Sequence, residues 1–290
     1  MRIVTYRSER GDRAGVLQDG RVVDVWDVLG SGGTPDATAA APPTVRALLE
    51  AGLLEELRER LDAATPERIA IDDVALRPPL PDPDKIVCMG LNYRSHAAEA
   101  GREPPDSPTF FAKFRNALAP PGGEVAVPEA SEKVDYEAEV AFVVGRRAHD
   151  VGADDALDHL AGYTLLNDLS ARDLQFATPQ WMPGKVFDGA APCGPALVTP
   201  EDAGAHDAIE ISLTLNGETM QDASTADLVF GVPELVARLS RLMTLEPGDI
   251  VATGTPAGVG SVRKPRVWLK AGDEISISSP TLGRLDTRIA

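Results

Sequence analysis

The stretch Asp135-Tyr136-Glu137-Ala138-Glu139-Val140-Ala141-Phe142-Val143-Val144-Gly145 sets three acids at alternate positions, the last of them directly ahead of an apolar run. A short apolar run ended by glycine reads as a buried β-strand, and period-two alternation then places Asp135, Glu137 and Glu139 on one face. Two carboxylates about 4 Å apart repel by roughly 4 kcal/mol at an effective dielectric near 20. A chain entering the core does not gather that cost unless a cation or bound protons relieve it. The alternative is a hydrated strand end whose acids face solvent.

At 290 residues and 43% hydrophobic, the chain is long enough to bury a full core, either as one large domain or as a main domain with a small appendage. Acidic residues outnumber basic ones 45 to 28, for a net charge of -17. That balance argues against nucleic acid or an anionic membrane as partner, since both call for a basic footprint. A small anionic substrate remains compatible, because a few local cations can dominate a pocket. Cys88 and Cys193 are far apart and lack CxxC spacing, which suits a reducing compartment and disfavours a disulfide framework or zinc-thiolate site. The N-terminal MRIVTYRSERGD carries charges where a signal peptide needs an apolar region, and no apolar run approaches membrane-spanning length. A cytoplasmic location is expected.

Arg2 to Tyr6, Ala14 to Gln18 and Arg21 to Val25 read as short strands with Asp19-Gly20 as a hairpin turn, and Gly30 to Pro43 reads as a flexible loop. Val45, Leu48, Leu49, Leu53, Leu57 and Leu61 have helical spacing behind a Thr44 cap, with Gly52 interrupting them. The proline-rich segment from Arg77 to Pro83 cannot be regular helix and marks a boundary: a small N-terminal α/β domain at 1–76 and a main domain at 77–290. In the main domain, strands are expected at Lys85 to Met89, Tyr163 to Leu166, Pro195 to Thr199, Ile209 to Leu215, Asp249 to Thr253, Arg266 to Leu269 and Glu274 to Ser278. Helices are expected near Asp154 to Leu160 and at Val232 to Met243. The class is α+β and strand-rich rather than alternating βαβ.

A second acidic signal lies in Leu165-Leu166-Asn167-Asp168-Leu169-Ser170-Ala171-Arg172-Asp173-Leu174-Gln175. Ser170 and Asp173 have capping-box spacing, which gives Asp173 a structural job and leaves Asp168 as either a turn-forming residue or a ligand. Arg172 and Gln175 share a helix face. Glu137, Glu139 and Asp168 together would make an all-oxygen site suited to Mg²⁺, Mn²⁺ or Ca²⁺. The four histidines are scattered, so a two-histidine iron site has no local support. His96 and Glu99, three apart, have the spacing of an imidazole oriented by a carboxylate, or of an ordinary surface pair. Lys185, after Pro183-Gly184, could neutralise a carboxylate or an oxyanion. The loop Thr253-Gly254-Thr255-Pro256-Ala257-Gly258-Val259-Gly260 lacks the ending of a P-loop but could present N–H groups and the Thr255 hydroxyl to a carboxylate. Arg94, Lys113 and Arg115 are further candidate anion contacts.

In order along the chain, GLNYRSHAAEAG (90–101), PTFFAKFRNAL (108–118), DYEAEVAFVVG (135–145), GYTLLNDLSARDLQ (162–175), GKVFDGAAPCGP (184–195), LNGETMQDASTADLVF (215–230) and LEPGDIVATGTPAGVG (245–260) resemble the fumarylacetoacetate hydrolase family. The resemblance implies a β-roll of mixed sheets with peripheral helices, a small N-terminal domain and a homodimer. It implies Mg²⁺ held by Glu137, Glu139 and Asp168, a lid dyad of His96 and Glu99 that activates water, and substrate contacts from Arg172, Gln175, Lys185 and Thr255. Cys193 stands where many relatives carry an aliphatic residue, a departure that leaves the pocket's shape and its substrate open.

The activity so implied is hydrolysis of a C–C bond in an acylpyruvate-type substrate. A 2-oxo acid end is chelated by the metal, the dyad's water attacks a second carbonyl, and Lys185 helps stabilise the enolate that leaves. Decarboxylation of a β-keto acid such as oxaloacetate, or isomerisation of a hydroxydienoate, uses the same enolate chemistry. A non-enzymatic scaffold on this fold is the rival from another class.

Overall fold

The computed structural model describes residues 1–9, 11–30, 43–61 and 66–290, so most of the loop expected at 30–43 lies outside the described residues. Strands β1 (Arg2–Ser8) and β2 (Gly11–Gln18) pair antiparallel, and β3 (Arg21–Asp24) returns along β2 through Asp19-Gly20, both at positive φ. A two-residue turn of that hand matches the twist of its strands, which is why an Asp-Gly pair announces it. Helices α1 (Val25–Gly30), α2 (Val45–Glu50) and α3 (Leu54–Leu61) follow. Thr44 caps α2 by accepting from Ala47 N at 3.1 Å, and Gly52, at φ 67°, separates α2 from α3. Short strands β4 (Arg68–Ala70) and β5 (Ala75–Arg77) close this segment.

Beyond the prolines come β6 (Ile86–Gly90), β7 (Thr109–Lys113), β8 (Ala138–Val144), β9 (Leu160–Asn167) and β10 (Ala191–Val198). They are followed by β11 (Glu210–Leu215), β12 (Glu218–Ser224), β13 (Ile250–Ala252), β14 (Glu274–Ser279) and β15 (Gly283–Ile289). The main sheet runs β4-β3-β2-β1-β10-β9-β8-β13-β6-β7, antiparallel except between β13 and β6. The N-terminal strands are stitched to the rest by β1 against β10, with Arg2 opposite Val198. A second sheet runs β12-β11-β14-β15. The strand-rich α+β class read from the sequence is the one observed.

Beyond residue 85 the helices include α4 (Arg94–Glu99), α5 (Arg172–Gln175) and α6 (Val232–Leu242), with a single turn at Pro200–Ala203; α6 buries Val236 and Leu239 as its spacing requires. The helix expected near Asp154 is a single 3₁₀ turn, Ala156–His159. No strand forms at 266–269. Pro265 removes a donor, and the next N–H groups bond singly to two different segments, Val267 to Gly260 O and Leu269 to Val134 O, so no ladder can start. No helix among the described residues is long and apolar enough to cross a membrane.

Candidate metal centre

Strand β8 lies between β9 and β13, and every residue from Ala138 to Val144 is buried. Glu139 is therefore held at 1% exposure among apolar neighbours. The β8–β9 ladder ends with Ala138 opposite Asn167, and one step further Asp168 N donates to Glu137 O at 2.8 Å. That last rung sets Glu137 beside Asp168. Carboxylate oxygens of Glu137, Glu139 and Asp168 lie within 4.8 Å of one another. Asp135 departs from the one-face reading: it belongs to a separate short strand, Val134–Asp135, paired with Ser170–Ala171.

Three buried cations converge on these acids. Lys185 Nζ bridges Glu137 Oε2 at 2.8 Å and Asp168 Oδ2 at 2.7 Å. Gly184 lets the chain reach this position, since a Cβ there would stand 2.5 Å from Ala171 O and from Gln175 N. Arg172 donates from Nη2 to Glu137 Oε1 at 2.7 Å, from Nε to Asp135 Oδ2 at 2.9 Å and from Nη1 to Gln175 Oε1 at 3.0 Å. Lys113 Nζ lies 2.8 Å from Asp168 Oδ1 but directs its hydrogen bonds at the carbonyls of Leu169, Lys185 and Ala190. Asp168 Oδ1 is thus buried, beside a positive charge, without a hydrogen bond. Glu139 forms no ion pair among the described residues and accepts from Gly254 N at 2.8 Å.

These surroundings drive the two glutamates apart. Burial opposes ionisation of both. At Glu137 the charges of Arg172 and Lys185 outweigh burial and hold the carboxyl well below its usual range. At Glu139 burial is reinforced by the like charges of Asp168 and Glu137, and the carboxyl is pushed well above it. Burial alone would lower Lys185, but Asp168 and Glu137 hold its ammonium above the ordinary value. Three clustered oxygen donors, one of them short of protein partners and another with an unmet oxygen, fit a hard divalent cation.

Above the acids, α4 begins without a side-chain cap from Tyr93. Asp227 supplies one from a distant segment, its Oδ2 accepting from Ser95 N at 2.9 Å. Asn92 ties the helix's approach to the sheet by donating to Phe230 O and Thr253 O and accepting from Phe230 N. His96 Nδ1 lies 2.7 Å from Glu99 Oε1, and Glu99 Oε2 accepts from Gly258 N at 2.9 Å. A carboxylate on Nδ1 leaves Nε2 as the basic nitrogen.

The glycine loop therefore serves the protein's own acids. Gly254 N binds Glu139, Gly258 N binds Glu99, and Gly260 N and Ser261 N bind Asp135. Gly258 has φ 109°, and a Cβ there would overlap the Met220 carbonyl, so this position requires glycine. Thr255 spends its hydroxyl proton on Ala138 O.

A cavity of about 500 Å³ opens over this floor. His96, Glu137, Glu139, Arg172, Gln175, Lys185 and Thr255 line it, while Asp168 lies beneath, held by Lys185, and Glu99 lies behind His96. The expected capping box does not form. Ser170 is paired with Asp135 in a short strand and donates to Asp168 O, while Asp173 accepts from Ser131 Oγ and Glu132 N. Of the three weaker anion contacts, Arg94 is spent on Leu228 O, Lys113 on the carbonyls named above, and Arg115 is not on the cavity wall. Lys113 and Asp135 are the residues that sequence reading undervalued. A lysine closing the apolar strand Thr-Phe-Phe-Ala-Lys was the available signal for the first.

Fold and site together define a strand-rich protein with a buried three-carboxylate centre at the base of a cavity. The family model for the fumarylacetoacetate (FAA) hydrolase C-terminal domain matches residues 85–290, and the chain belongs to that family. It is 37% identical over 302 residues to a fumarylacetoacetate hydrolase domain-containing protein 2 homolog of Dictyostelium discoideum, covering 98% of this chain and 96% of that one. It is 39% identical over 252 residues to the human mitochondrial oxaloacetate tautomerase FAHD2A, covering 86% and 80%. Among solved structures it resembles fumarylacetoacetate hydrolase (EaFAH) from psychrophilic Exiguobacterium antarcticum, with a TM-score of 0.84 and 32% identity over 100% of this chain and 99% of that one.

Proposed function

We propose that the protein is a divalent-metal-dependent enzyme that enolises 2-oxo acids, with keto–enol tautomerisation of an oxaloacetate-type β-keto diacid as its reaction. The observation that carries this reading is the convergence of Glu137, Glu139 and Asp168 beneath His96, with Asp168 Oδ1 lacking a hydrogen bond. Those three carboxylates would hold the ion, Mg²⁺ by preference, which polarises the 2-oxo group as a Lewis acid. The relatives named oxaloacetate tautomerase support the choice of reaction.

The chain's own residues divide the remaining work. Arg172 and Gln175 receive the substrate carboxylate. His96 Nε2, its ring held by Glu99, takes a proton from the carbon next to the ketone. The C–H electron pair becomes the new C=C bond, the former carbonyl oxygen carries the charge, and return of the proton from the His96 imidazolium to that oxygen completes the enol and restores the base. Lys185, kept cationic by its two acids, offsets the developing charge.

Hydrolysis of a C–C bond is the second reading, favoured by the same His96–Glu99 pair, which can deprotonate water instead of carbon. One panel separates the readings. Protein and Mg²⁺ are mixed with enol oxaloacetate, followed by its ultraviolet absorbance, and with acylpyruvates, followed by acid release. Accelerated loss of the enol that a chelator abolishes is expected. Acid release from acylpyruvates would substitute hydrolysis, pyruvate from oxaloacetate would substitute decarboxylation, and no conversion of any substrate would leave a scaffold.

A further inference from the structure

Among the described residues the Glu99 carboxylate has two hydrogen-bond partners. Its Oε1 meets His96 Nδ1, and its Oε2 accepts from Gly258 N. Glu99 ends a helix of six residues, so the Gly258 N–H is what fixes its carboxylate from outside that helix. The orientation of the His96 ring therefore depends on where the glycine loop places one residue.

Arg263 clamps that residue. Its Nε donates to Gly258 O at 3.1 Å and its Nη2 to Met220 O at 2.6 Å. The Tyr136 hydroxyl also donates to Gly258 O, at 3.1 Å, so both lone pairs of this carbonyl are used. Gly258 packs so closely on Met220 that a Cβ would overlap the Met220 carbonyl, and the guanidinium spans the two carbonyls at that contact.

Such a use of arginine is unusual here. Arg13, Arg46 and Arg172 meet carboxylates, as expected in a chain with 45 acids. Arg263 forms no ion pair among the described residues, and its charge is committed to the backbone behind Glu99. It is also absent from the wall of the cavity over the acid cluster. With Met220 and Lys264 it lines a second cavity, of about 500 Å³.

We propose that Arg263 is a positioning residue for the general base. Acting through Gly258 and Glu99, it fixes the orientation of the His96 ring and keeps the proton on Nδ1, touching neither substrate nor metal. The role of the base rests on the function proposed above; the link from Arg263 to the ring rests on the hydrogen bonds themselves.

Arg263→Ala should lower kcat by about 10–100-fold, the scale of a small misplacement remote from the chemistry. KM and the Mn²⁺-induced rise in melting temperature should stay within about twofold of wild type, the signature of an interaction that serves the chemical step. In the Glu99→Ala background the same substitution should cost nothing further, since the link is already cut. Losses that multiply would make Arg263 a staple of the loop alone and overturn the proposal. Tyr136 still holds Gly258 O in the variant, which favours an intact loop. Should the alanine variant fail to fold, Arg263→Lys, with one nitrogen in place of a two-nitrogen clamp, carries the same cycle.

The link is also read without turnover. In protein labelled with ¹⁵N-histidine, ring shifts report the tautomer, and the His96 signals are assigned by their absence in His96→Ala. The wild-type ring should carry its proton on Nδ1. In Arg263→Ala and in Glu99→Ala it should drift toward the Nε2–H form that an unconstrained imidazole favours. If no 2-oxo acid is converted, the proposed function fails, yet that drift would still uphold the link. An unchanged tautomer in Arg263→Ala would sink it.

Discussion

Glu137→Ala is expected to abolish binding of the divalent ion, to reduce turnover below detection and to lower the melting temperature of the metal-free protein by about 10 °C. Each oxygen of Glu137 serves a different buried cation, Oε1 for Arg172 and Oε2 for Lys185. Alanine leaves both, largely buried as they are, with one acid fewer. Breaking a buried pair in this way costs about 3–5 kcal/mol. At roughly 2–4 °C per kcal/mol for chains of 150–250 residues, the melting temperature should fall by about that 10 °C. Thermal melts with and without Mn²⁺ read both effects together, because an ion that binds only the folded protein raises its melting temperature. If the alanine variant kept the full Mn²⁺-induced rise, Glu137 would not be a ligand. If it melted like the wild-type protein, the charge network described here would be misjudged.

His96→Ala should act on chemistry alone, lowering kcat by about 10²–10⁴-fold, the usual contribution of a positioned general base. The only side-chain hydrogen bond of His96 among the described residues is with Glu99, and neither residue belongs to the acid cluster. Metal affinity should therefore stay within about twofold of wild type, a difference of under 0.5 kcal/mol. Turnover and the Mn²⁺-induced melting shift are measured on the same preparation. Retention of kcat within a few-fold would place the base elsewhere. A parallel loss of the metal response would make His96 a structural residue of the centre.

The acid trio was legible in the sequence because its signal is local: alternation ahead of an apolar run fixes Glu137 and Glu139, and a strand ending in Asn-Asp offers Asp168. Their partners were not. The carbonyls around Lys113 belong to Leu169, Lys185 and Ala190, brought together only by the tertiary fold. Asp135 was grouped with the other acids by alternation, but Glu137 N bonds to the Asn167 side chain rather than continuing a ladder. The strand is interrupted there, and Asp135 faces Arg172 and the glycine loop. The Ser170–Asp173 spacing was a true capping pattern in the wrong setting, since a four-residue helix preceded by a paired strand residue left Asp173 for the turn at Ser131.

Strand boundaries followed the same rule. Where a hairpin turn was read, at Asp19-Gly20, the reading and the fold agree. At Arg266–Leu269 a short apolar run was present, but the donors were claimed one by one by Gly260 and Val134. Period alone does not reveal which neighbour a strand will find.

The central claim is that Glu137, Glu139 and Asp168 act together as the ligands of one divalent ion. Titration of the metal-stripped protein with Mn²⁺, by calorimetry in two buffers of different ionisation enthalpy, tests it most directly. Burial and the charges of Asp168 and Glu137 push the Glu139 carboxyl well above its usual range, which favours its protonated form when no ion is bound. Saturable binding of one ion should release about one proton, and affinity should rise with pH, because a ligand must be deprotonated to coordinate. No saturable binding, or binding without proton release that Glu139→Gln leaves unchanged, would contradict the account.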